Sequence, residues 1–156
     1  MGKEIEHKYL VCDNSFETQA SKIIEIKQGY ICRSKQRTVR VRIQDNEAFI
    51  NIKGETIGDT RAEFEYAIPV TDACILISTI CDSPIIEKSR YIVEYHGNTW
   101  EIDVFKGHLE GLIVAEIEIP SSDYNYDVPS FIGKNVTGDC RYYNANLVSG
   151  SIPQEK

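Results

Sequence analysis

Charged residues recur at every second position along most of this 156-residue chain, and they come in pairs of the same sign. Side chains two positions apart on a β-strand point to the same face of the sheet. Each pair therefore marks one face of a predicted strand: Glu4 and Glu6, Arg40 and Arg42, Glu63 and Glu65, Lys88 and Arg90, Glu101 and Asp103, and Glu116 and Glu118. The intervening residues are mostly apolar. The pattern predicts a sheet with one charged face and one apolar face.

Eight segments show this alternation or are rich in β-branched residues, which favours strands. They are 3–12, 23–32, 38–44, 47–53, 61–70, 85–95, 99–105 and 112–119. Short turns join most of them, as in an antiparallel sheet or barrel. Helices are predicted after a cap at Asn14 or Ser15, from Thr71 or Asp72 to Cys81, and over 141–148. We expect a single mainly β (α+β) domain over 1–156, with a barrel over about 3–120 and a helical tail over about 121–156.

The overall composition excludes several classes of function. Lys and Arg number 17 against 24 Asp and Glu, a net charge of −7, so nucleic acid is an unexpected partner. No apolar run approaches the roughly 20 residues that span a bilayer. The charged start, MGKEIEHKYL, does not resemble a secretory signal. With five cysteines, an odd number without a CxxC motif, we expect reduced thiols and a cytoplasmic protein.

The same-sign pairs bear on which way the charged face points. A sheet with a water-facing polar side remains one interpretation, since such alternation is common in antiparallel proteins. Such a face usually favours Thr and intersperses charges of both signs. If the eight strands instead close with the charges inward, they enclose room for side chains or one small ligand. So many enclosed charges are costly as structure alone, which indicates that they bind something.

The lining expected for such a barrel holds charges of both signs. The basic members are Lys8, Arg40, Arg42, Lys53, Lys88 and Arg90. The acidic members are Glu4, Glu6, Glu63, Glu65, Asp103, Glu116, Glu118 and, less firmly placed, Glu101. Arg and Lys suit phosphate oxygens, and clustered carboxylates suit hard cations such as Mg²⁺ or Mn²⁺. The combination favours a small polyphosphate bound together with a divalent metal.

Seven segments, in order, resemble the CYTH superfamily, also called the triphosphate tunnel metalloenzymes. The chain opens with the Glu-x-Glu-x-Lys signature at Glu4-Ile5-Glu6-His7-Lys8. The other segments are Arg40-Val41-Arg42, Ile52-Lys53-Gly54, Arg61-Ala62-Glu63-Phe64-Glu65, Glu87-Lys88-Ser89-Arg90-Tyr91, Trp100-Glu101-Ile102-Asp103-Val104-Phe105 and Ala115-Glu116-Ile117-Glu118. The tail resembles that of the short single-domain bacterial members. The variable position of the signature is often Arg and is His7 here, which the alternation directs outward.

The resemblance implies a closed eight-stranded antiparallel barrel with flanking helices, and a role for each charged group. Lys8, Arg40, Arg42, Lys53, Lys88 and Arg90 would bind phosphates. Glu4, Glu6, Glu116 and Glu118 would bind Mg²⁺ or Mn²⁺, with Asp103 supporting the basic side chains. Glu63, Glu65, Lys8 and Lys88 would take part in catalysis, with Glu63 or a second metal orienting the attacking water.

The implied activity is metal-dependent hydrolysis of inorganic tripolyphosphate to pyrophosphate and phosphate. Three alternatives stay open: a class IV-type adenylate cyclase acting on ATP, a thiamine triphosphatase, and a non-catalytic polyphosphate or nucleotide sensor. The partner expected in each case is a small triphosphate and not a membrane or nucleic acid. A homodimer would fit the apolar outer faces of several strands.

Overall fold

The computed structural model describes residues 2–155 and is dominated by antiparallel strands. The strands are β1 (Glu4–Val11), β2 (Lys22–Arg33), β3 (Arg37–Gln44), β4 (Glu47–Gly54), β5 (Thr60–Arg61), β6 (Glu63–Ile68), β7 (Ile86–Tyr95), β8 (Asn98–Phe105), β9 (Ile113–Glu118) and β10 (Ile132–Asn135). The α-helices are α1 (Phe16–Gln19), α2 (Val70–Thr79) and α3 (Asn144–Leu147). Two 3-10 helices span Gly107–Leu109 and Cys140–Tyr142. None of the helices within residues 2–155 has the length and apolar character needed to cross a membrane.

The strands form one nearly closed antiparallel barrel. Their order around it is β10-β1-β9-β8-β7-β2-β3-β4-β6, with β5 paired to β1. The barrel is joined between β6, at one end of this order, and the residues just before β1. There the Gly2 N–H donates to the Glu63 carbonyl over 2.8 Å, and the Glu63 N–H donates back to Gly2 over 3.2 Å. Strand β5 continues this seam alongside Glu4 and Ile5.

All eight predicted strands are present, and the mainly β barrel is confirmed. The structure adds two short strands, β5 and β10, which are held in extended conformation by pairing with β1. The predicted hairpin turns also occur, with Asp45 and His96 in the left-handed region at φ 54° and 47°. The Asp45 carboxylate stabilises its turn by accepting a hydrogen bond of 3.0 Å from the Glu25 N–H.

The predicted helix starts were wrong in detail. Helix α2 begins at Val70, earlier than the predicted caps Thr71 and Asp72, because Pro69 already holds the extended backbone that precedes a helix. Ser15 precedes α1 but makes no side-chain cap; its N–H instead donates to the Asp13 carboxylate over 2.8 Å. The predicted helix 141–148 is shorter, since residues 140–142 form a 3-10 turn before α3.

The helices and the tail cover much of the apolar outer surface of the strands, but leave that of β4 and β6 partly exposed. Helix α2 packs Ala73 against Val41 and Ala48 of β3 and β4. Trp100 and Ile117, on β8 and β9, are buried against Phe16 and Phe131. The tail places Tyr142, Leu147 and Val148 in a third cluster with Tyr30, Ile86 and Phe105. This third cluster lies where β7 begins and β8 ends, so the tail covers that end of the barrel.

Candidate active site

The charged pairs point into the barrel, where all but Asp103, which is buried against Lys88 and Arg90, line a cavity of about 850 Å³. The strand register sets them side by side. Lys8 lies opposite Glu116, Arg90 opposite Asp103, and Lys53 opposite Glu63. All the predicted phosphate-binding side chains line this cavity, as do Glu4, Glu6, Glu63, Glu65, Glu101, Glu116 and Glu118. The interpretation of the charged pairs as a water-facing outer surface is therefore wrong.

Two buried arginines lie in the cavity wall without an acidic partner. Arg40 and Arg42 are only 6% and 8% exposed. Within residues 2–155, neither has a carboxylate oxygen within 4 Å, and the Arg40 Nε–H finds no acceptor at all. Burial, and then repulsion from Arg40 and Arg90, lowers the pKa of Arg42 to about 9, which still leaves it charged at neutral pH. An anion entering the cavity would meet two desolvated guanidinium groups with unused N–H donors.

A second basic group is organised by Asp103, which is almost fully buried. Its carboxylate accepts from Arg90 at both oxygens, over 2.8 and 3.0 Å, and pairs with Lys88 Nζ at 2.7 Å. Although burial opposes it, the attraction of Arg90 and Lys88 lowers the pKa of Asp103 to about 2. Burial lowers the pKa of Lys88 to about 7 against the attraction of Asp103, with Arg90 and Arg42 adding repulsion. One carboxylate thus holds the side chains of two basic residues in place.

A third group consists of ion pairs between charged side chains of β1 and of the strands β4, β6 and β9. Lys53 Nζ lies 3.3 Å from Glu4 and 3.1 Å from Glu63. Lys8 Nζ lies 3.6 Å from Glu116 and donates to the Tyr142 carbonyl over 3.1 Å. The nearby Lys53 holds the pKa of Glu63 below its usual value, although partial burial opposes this. Glu63 is therefore ionised and faces the cavity.

The carboxylates of β1 and β9 form an acidic cluster. Burial, and then the charges of Glu116 and Glu4, raises the pKa of Glu6 well above its usual value. Lys8 overcomes the effect of burial at Glu116 and, with a hydrogen bond from Glu6, holds its pKa well below the ordinary range. Burial and the charges of Glu4, Glu63 and Glu101 raise the pKa of Glu118. These groups repel one another unless a proton or a cation lies between them.

The acidic cluster fits a divalent cation only with help from a substrate. Within residues 2–155, no three His, Cys, Asp or Glu side chains are arranged to hold a metal ion on their own. Mg²⁺, however, is usually bound by one or two carboxylates together with waters and substrate phosphates. The donors are carboxylate oxygens, the type that Mg²⁺ and Mn²⁺ prefer. The paired glutamates therefore fit such an ion when phosphate oxygens complete its shell.

Glu65 and Glu101 hold more peripheral positions in the lining. Glu65 accepts a hydrogen bond of 3.2 Å from the Asn51 amide of the next strand. Glu101 lies 3.3 Å from Arg90 and is 37% exposed at its side chain. Burial raises the pKa of Glu101 against the attraction of Arg90, with Glu116 adding repulsion. Glu101 thus joins the cavity edge, the position that the alternation left uncertain.

Neutral amides, which the pattern of charged pairs does not reveal, also belong to the site. Gln28, Asn51 and Asn144 line or support the cavity wall and contact charged members of it. Asn51 precedes Lys53 by two positions and could have been found from the alternation of β4. Gln28 lies between Ile26 and Tyr30 on its face of β2, so no pattern marked it. Asn144 comes from the tail.

His7 lies on the outer face, as the alternation predicted. Its ring nitrogens lie 2.7 Å from the Tyr126 hydroxyl and 3.0 Å from the Asp59 carboxylate. The five cysteines are all free thiols.

Comparisons with known proteins give the family of the chain. The CYTH domain model matches residues 2–146. An inorganic triphosphatase of Acetivibrio thermocellus is 43% identical over 148 residues, covering 95% of this chain and 94% of that protein. One of Nitrosomonas europaea is 35% identical over 154 residues, covering 96% and 99%. A crystal structure of an inorganic triphosphatase matches with a TM-score of 0.66 and 32% identity, covering 97% of this chain and 100% of that one.

Proposed function

This chain belongs to the CYTH domain family, and we propose that it is an inorganic triphosphatase that cleaves tripolyphosphate to pyrophosphate and phosphate within its barrel. The relatives that match it over nearly their whole length are inorganic triphosphatases. The observation that carries the proposal is the pair of buried arginines, Arg40 and Arg42, which lack an acidic partner among the described residues. Burying cations without a partner destabilises the free protein, and a bound polyanion offsets this desolvation penalty.

The basic side chains bind the phosphate chain. Arg40 and Arg42 offer guanidinium N–H groups from β3, while Lys88 and Arg90 offer theirs from β7. Lys8 and Lys53 complete the set near the acidic cluster. Because Asp103 is shared between Lys88 and Arg90, it holds both of these side chains in place. Neutralising the phosphate oxygens makes the terminal phosphorus accessible to a nucleophile.

The carboxylates provide the metal site and orient the water. We place Glu4, Glu6, Glu116 and Glu118 as the residues that hold Mg²⁺ or Mn²⁺ together with phosphate oxygens. The bound cation would neutralise developing charge on the phosphates. Glu63, kept ionised beside Lys53, accepts a hydrogen bond from the attacking water and orients it toward the terminal phosphorus. Glu65, on the same face of β6, supports this position.

The hydrolysis step uses Glu63 together with the lysines. Water adds to the terminal phosphorus as the bond from that phosphorus to the bridging oxygen breaks and pyrophosphate departs, and Glu63 takes the proton that the water loses and passes it to an oxygen of the product phosphate. Lys8 and Lys88 both line the cavity and donate hydrogen bonds to phosphate oxygens in this scheme. They stabilise the negative charge that accumulates on the departing pyrophosphate.

A substrate panel tests the proposal. Tripolyphosphate, ATP and thiamine triphosphate are each incubated with Mg²⁺ or Mn²⁺, and phosphate, pyrophosphate and cyclic AMP are measured. We expect tripolyphosphate to be cleaved fastest, with equal amounts of pyrophosphate and phosphate, and no cleavage in EDTA. Cyclic AMP as the main product would instead identify an adenylate cyclase. Tight binding without turnover of any substrate would identify a sensor. The same panel shows which of the two metals supports faster turnover.

We further propose that the protein acts in the cytoplasm as a homodimer. Five free thiols suit a reducing compartment. Ile52, Phe64 and Tyr66 on the outer faces of β4 and β6 are 41–55% exposed and would be covered by a second copy. Sedimentation velocity at micromolar concentration tests this: a single species of about 17.7 kDa would exclude the dimer.

A further inference from the structure

A hydrogen-bonded chain of two neutral amides joins two cations of the cavity. The Asn144 side-chain oxygen accepts from Lys88 Nζ over 2.9 Å and from the Gln28 amide over 3.4 Å. The Gln28 side-chain oxygen accepts from Arg42 Nε over 3.1 Å, and its amide also donates to the Tyr30 hydroxyl over 3.3 Å. Lys88 and Arg42, from different strands, are thus linked through one glutamine and one asparagine.

Gln28 occupies a position where packing alone would favour an apolar side chain. It is fully buried on β2, between the buried residues Ile26 and Tyr30 of the same face. A buried amide is costly unless its groups are hydrogen-bonded. Two of its three hydrogen bonds belong to this chain of contacts, and the third goes to the Tyr30 hydroxyl. The glutamine is therefore explained by what it holds and not by the packing of the strand.

Neutral acceptors hold a cation differently from carboxylates. A carboxylate fixes a lysine or arginine but cancels its charge, whereas an amide oxygen fixes it and leaves the charge available. Gln28 accepts a hydrogen bond only from the Nε–H of Arg42. The four N–H groups on the terminal guanidinium nitrogens of Arg42 therefore remain available to an anion. Asn144 and Asp103 use two of the three N–H groups of Lys88. Both cations are thus oriented with donors to spare.

We propose that Gln28 and Asn144 are positioning residues that hold Arg42 and Lys88 in the geometry that binds the phosphates of the substrate. The inference rests on the proposed function, because it assigns these residues to the same site. Asn144 opens α3 in the tail, and the tail also meets Lys8 through the Tyr142 carbonyl at 3.1 Å. The tail therefore contributes to the anion site itself, beyond covering one end of the barrel.

The test measures tripolyphosphate binding by calorimetry in EDTA, so that neither turnover nor metal binding affects the result. Asn144→Leu keeps the side-chain volume but removes the acceptor from Lys88. We expect its Kd to rise about tenfold, the usual effect of losing a hydrogen bond to a charged group. Asn125→Leu makes the same change at an exposed position of the tail that does not line the cavity, and should leave the Kd unchanged.

A double-mutant cycle separates positioning from a general effect on the tail. In a Lys88→Ala background, Asn144→Leu should change the Kd less than twofold, because the group through which it acts is gone. Likewise, Gln28→Met should change the Kd less than twofold in an Arg42→Ala background. If Asn144→Leu does not fold, as judged by thermal unfolding, Asn144→Ala removes the same acceptor without added apolar bulk.

The outcomes separate the role of Gln28 and Asn144 from the proposed triphosphatase activity. If the wild-type protein binds tripolyphosphate and the Asn144 and Gln28 variants bind it with the same Kd, this inference is overturned, while the proposed triphosphatase activity stands. Equal effects of Asn144→Leu with and without Lys88 would also overturn it, by showing that the tail acts through another contact. Absence of tripolyphosphate binding and hydrolysis in the wild-type protein would overturn the proposed function, and this inference with it.

Discussion

At the scale of single residues, function and stability oppose each other at the unpaired arginines. Replacing a buried, unpaired charge with an apolar side chain of similar length removes a desolvation penalty. We expect Arg40→Met to raise the free energy of unfolding by about 1–3 kcal/mol while weakening tripolyphosphate binding at least tenfold. Urea unfolding and calorimetry measure the two effects. Arg37→Met, at an exposed position of the same strand, should change neither.

At Glu6, in the acidic cluster, we expect a substitution to reduce activity without changing stability. Glu6→Gln keeps the shape of the side chain but removes an oxygen ligand for the metal, so we expect kcat to fall at least about 100-fold. The fold should be retained, because burial and the charges of Glu116 and Glu4 already disfavour the ionised form of Glu6. Steady-state assays and thermal unfolding check both statements. Glu17→Gln, on the exposed surface of α1, is the matched control. Full activity in Glu6→Gln would remove Glu6 from the metal site.

The low pKa of Lys88 predicts that the protein takes up protons when it binds substrate. Its pKa of about 7 in the free protein is low because burial disfavours the charged form. A bound polyanion favours that form, so binding above pH 7 should take up as much as one proton, and affinity should fall as pH rises. Calorimetry at pH 8 in buffers of different ionisation enthalpy counts the protons. Lys88→Arg stays charged and should lose this uptake, while proton exchange by tripolyphosphate itself cancels in the comparison. Equal uptake in both proteins would contradict the assignment.

Charged site residues could be predicted from sequence, whereas the amides could not. Arg40 and Arg42 stand two apart in a strand, so the period of the strand alone assigns both to one face. Gln28 acquires its role only through the register that sets it opposite Arg42, and Asn144 only through a tail that returns across more than a hundred residues. Register and long-range return depend on tertiary packing, which local patterns do not encode.

At the scale of elements, the strands with alternating charge were predicted and the short paired strands were not. β3 alternates over its whole length and needs no partner to be recognised. β10, with the sequence IGKN, contains no alternation and becomes a strand because β1 offers it a free edge. Gly133 permits this close approach, since a Cβ there would lie 3.2 Å from the Leu10 carbonyl oxygen. Elements that depend on pairing are thus the ones that sequence analysis misses.

The segment leading to β10 should be as important for stability as the predicted strands. Phe131 is fully buried against Phe16, with ring centroids 5.9 Å apart, and against the outer face of the barrel. We expect Phe131→Ala to reduce the free energy of unfolding by about 3–5 kcal/mol, the usual cost of removing a buried phenyl ring. Val128→Ala, nearby and 46% exposed, should cost less than about 0.5 kcal/mol. Denaturant unfolding of both variants measures this; similar midpoints would show that the segment is peripheral.

At the scale of the whole molecule, the distribution of charge separates the interior from the surface. The chain has a net charge of −7, yet unpaired cations lie within the cavity. A polyanion is therefore attracted to the interior and repelled from the outside, which favours a small, fully enclosed substrate over a polymer. The fold achieves this by closing its sheet with the charged faces inward.

The same separation predicts how ligands stabilise the protein. The cations that receive phosphates do not depend on the metal, so tripolyphosphate should bind and stabilise the fold even in EDTA. At a concentration 100 times Kd, binding adds about 2.7 kcal/mol, which should raise Tm by roughly 5–10 °C for a chain of this length. Mg²⁺ alone should raise Tm less, because no three acidic side chains of residues 2–155 converge on one ion, and both together should raise it most. The Arg40→Met variant should lose most of the shift caused by tripolyphosphate while keeping that caused by Mg²⁺. If tripolyphosphate changed Tm only when Mg²⁺ was present, the metal and not the arginines would be the principal anion site.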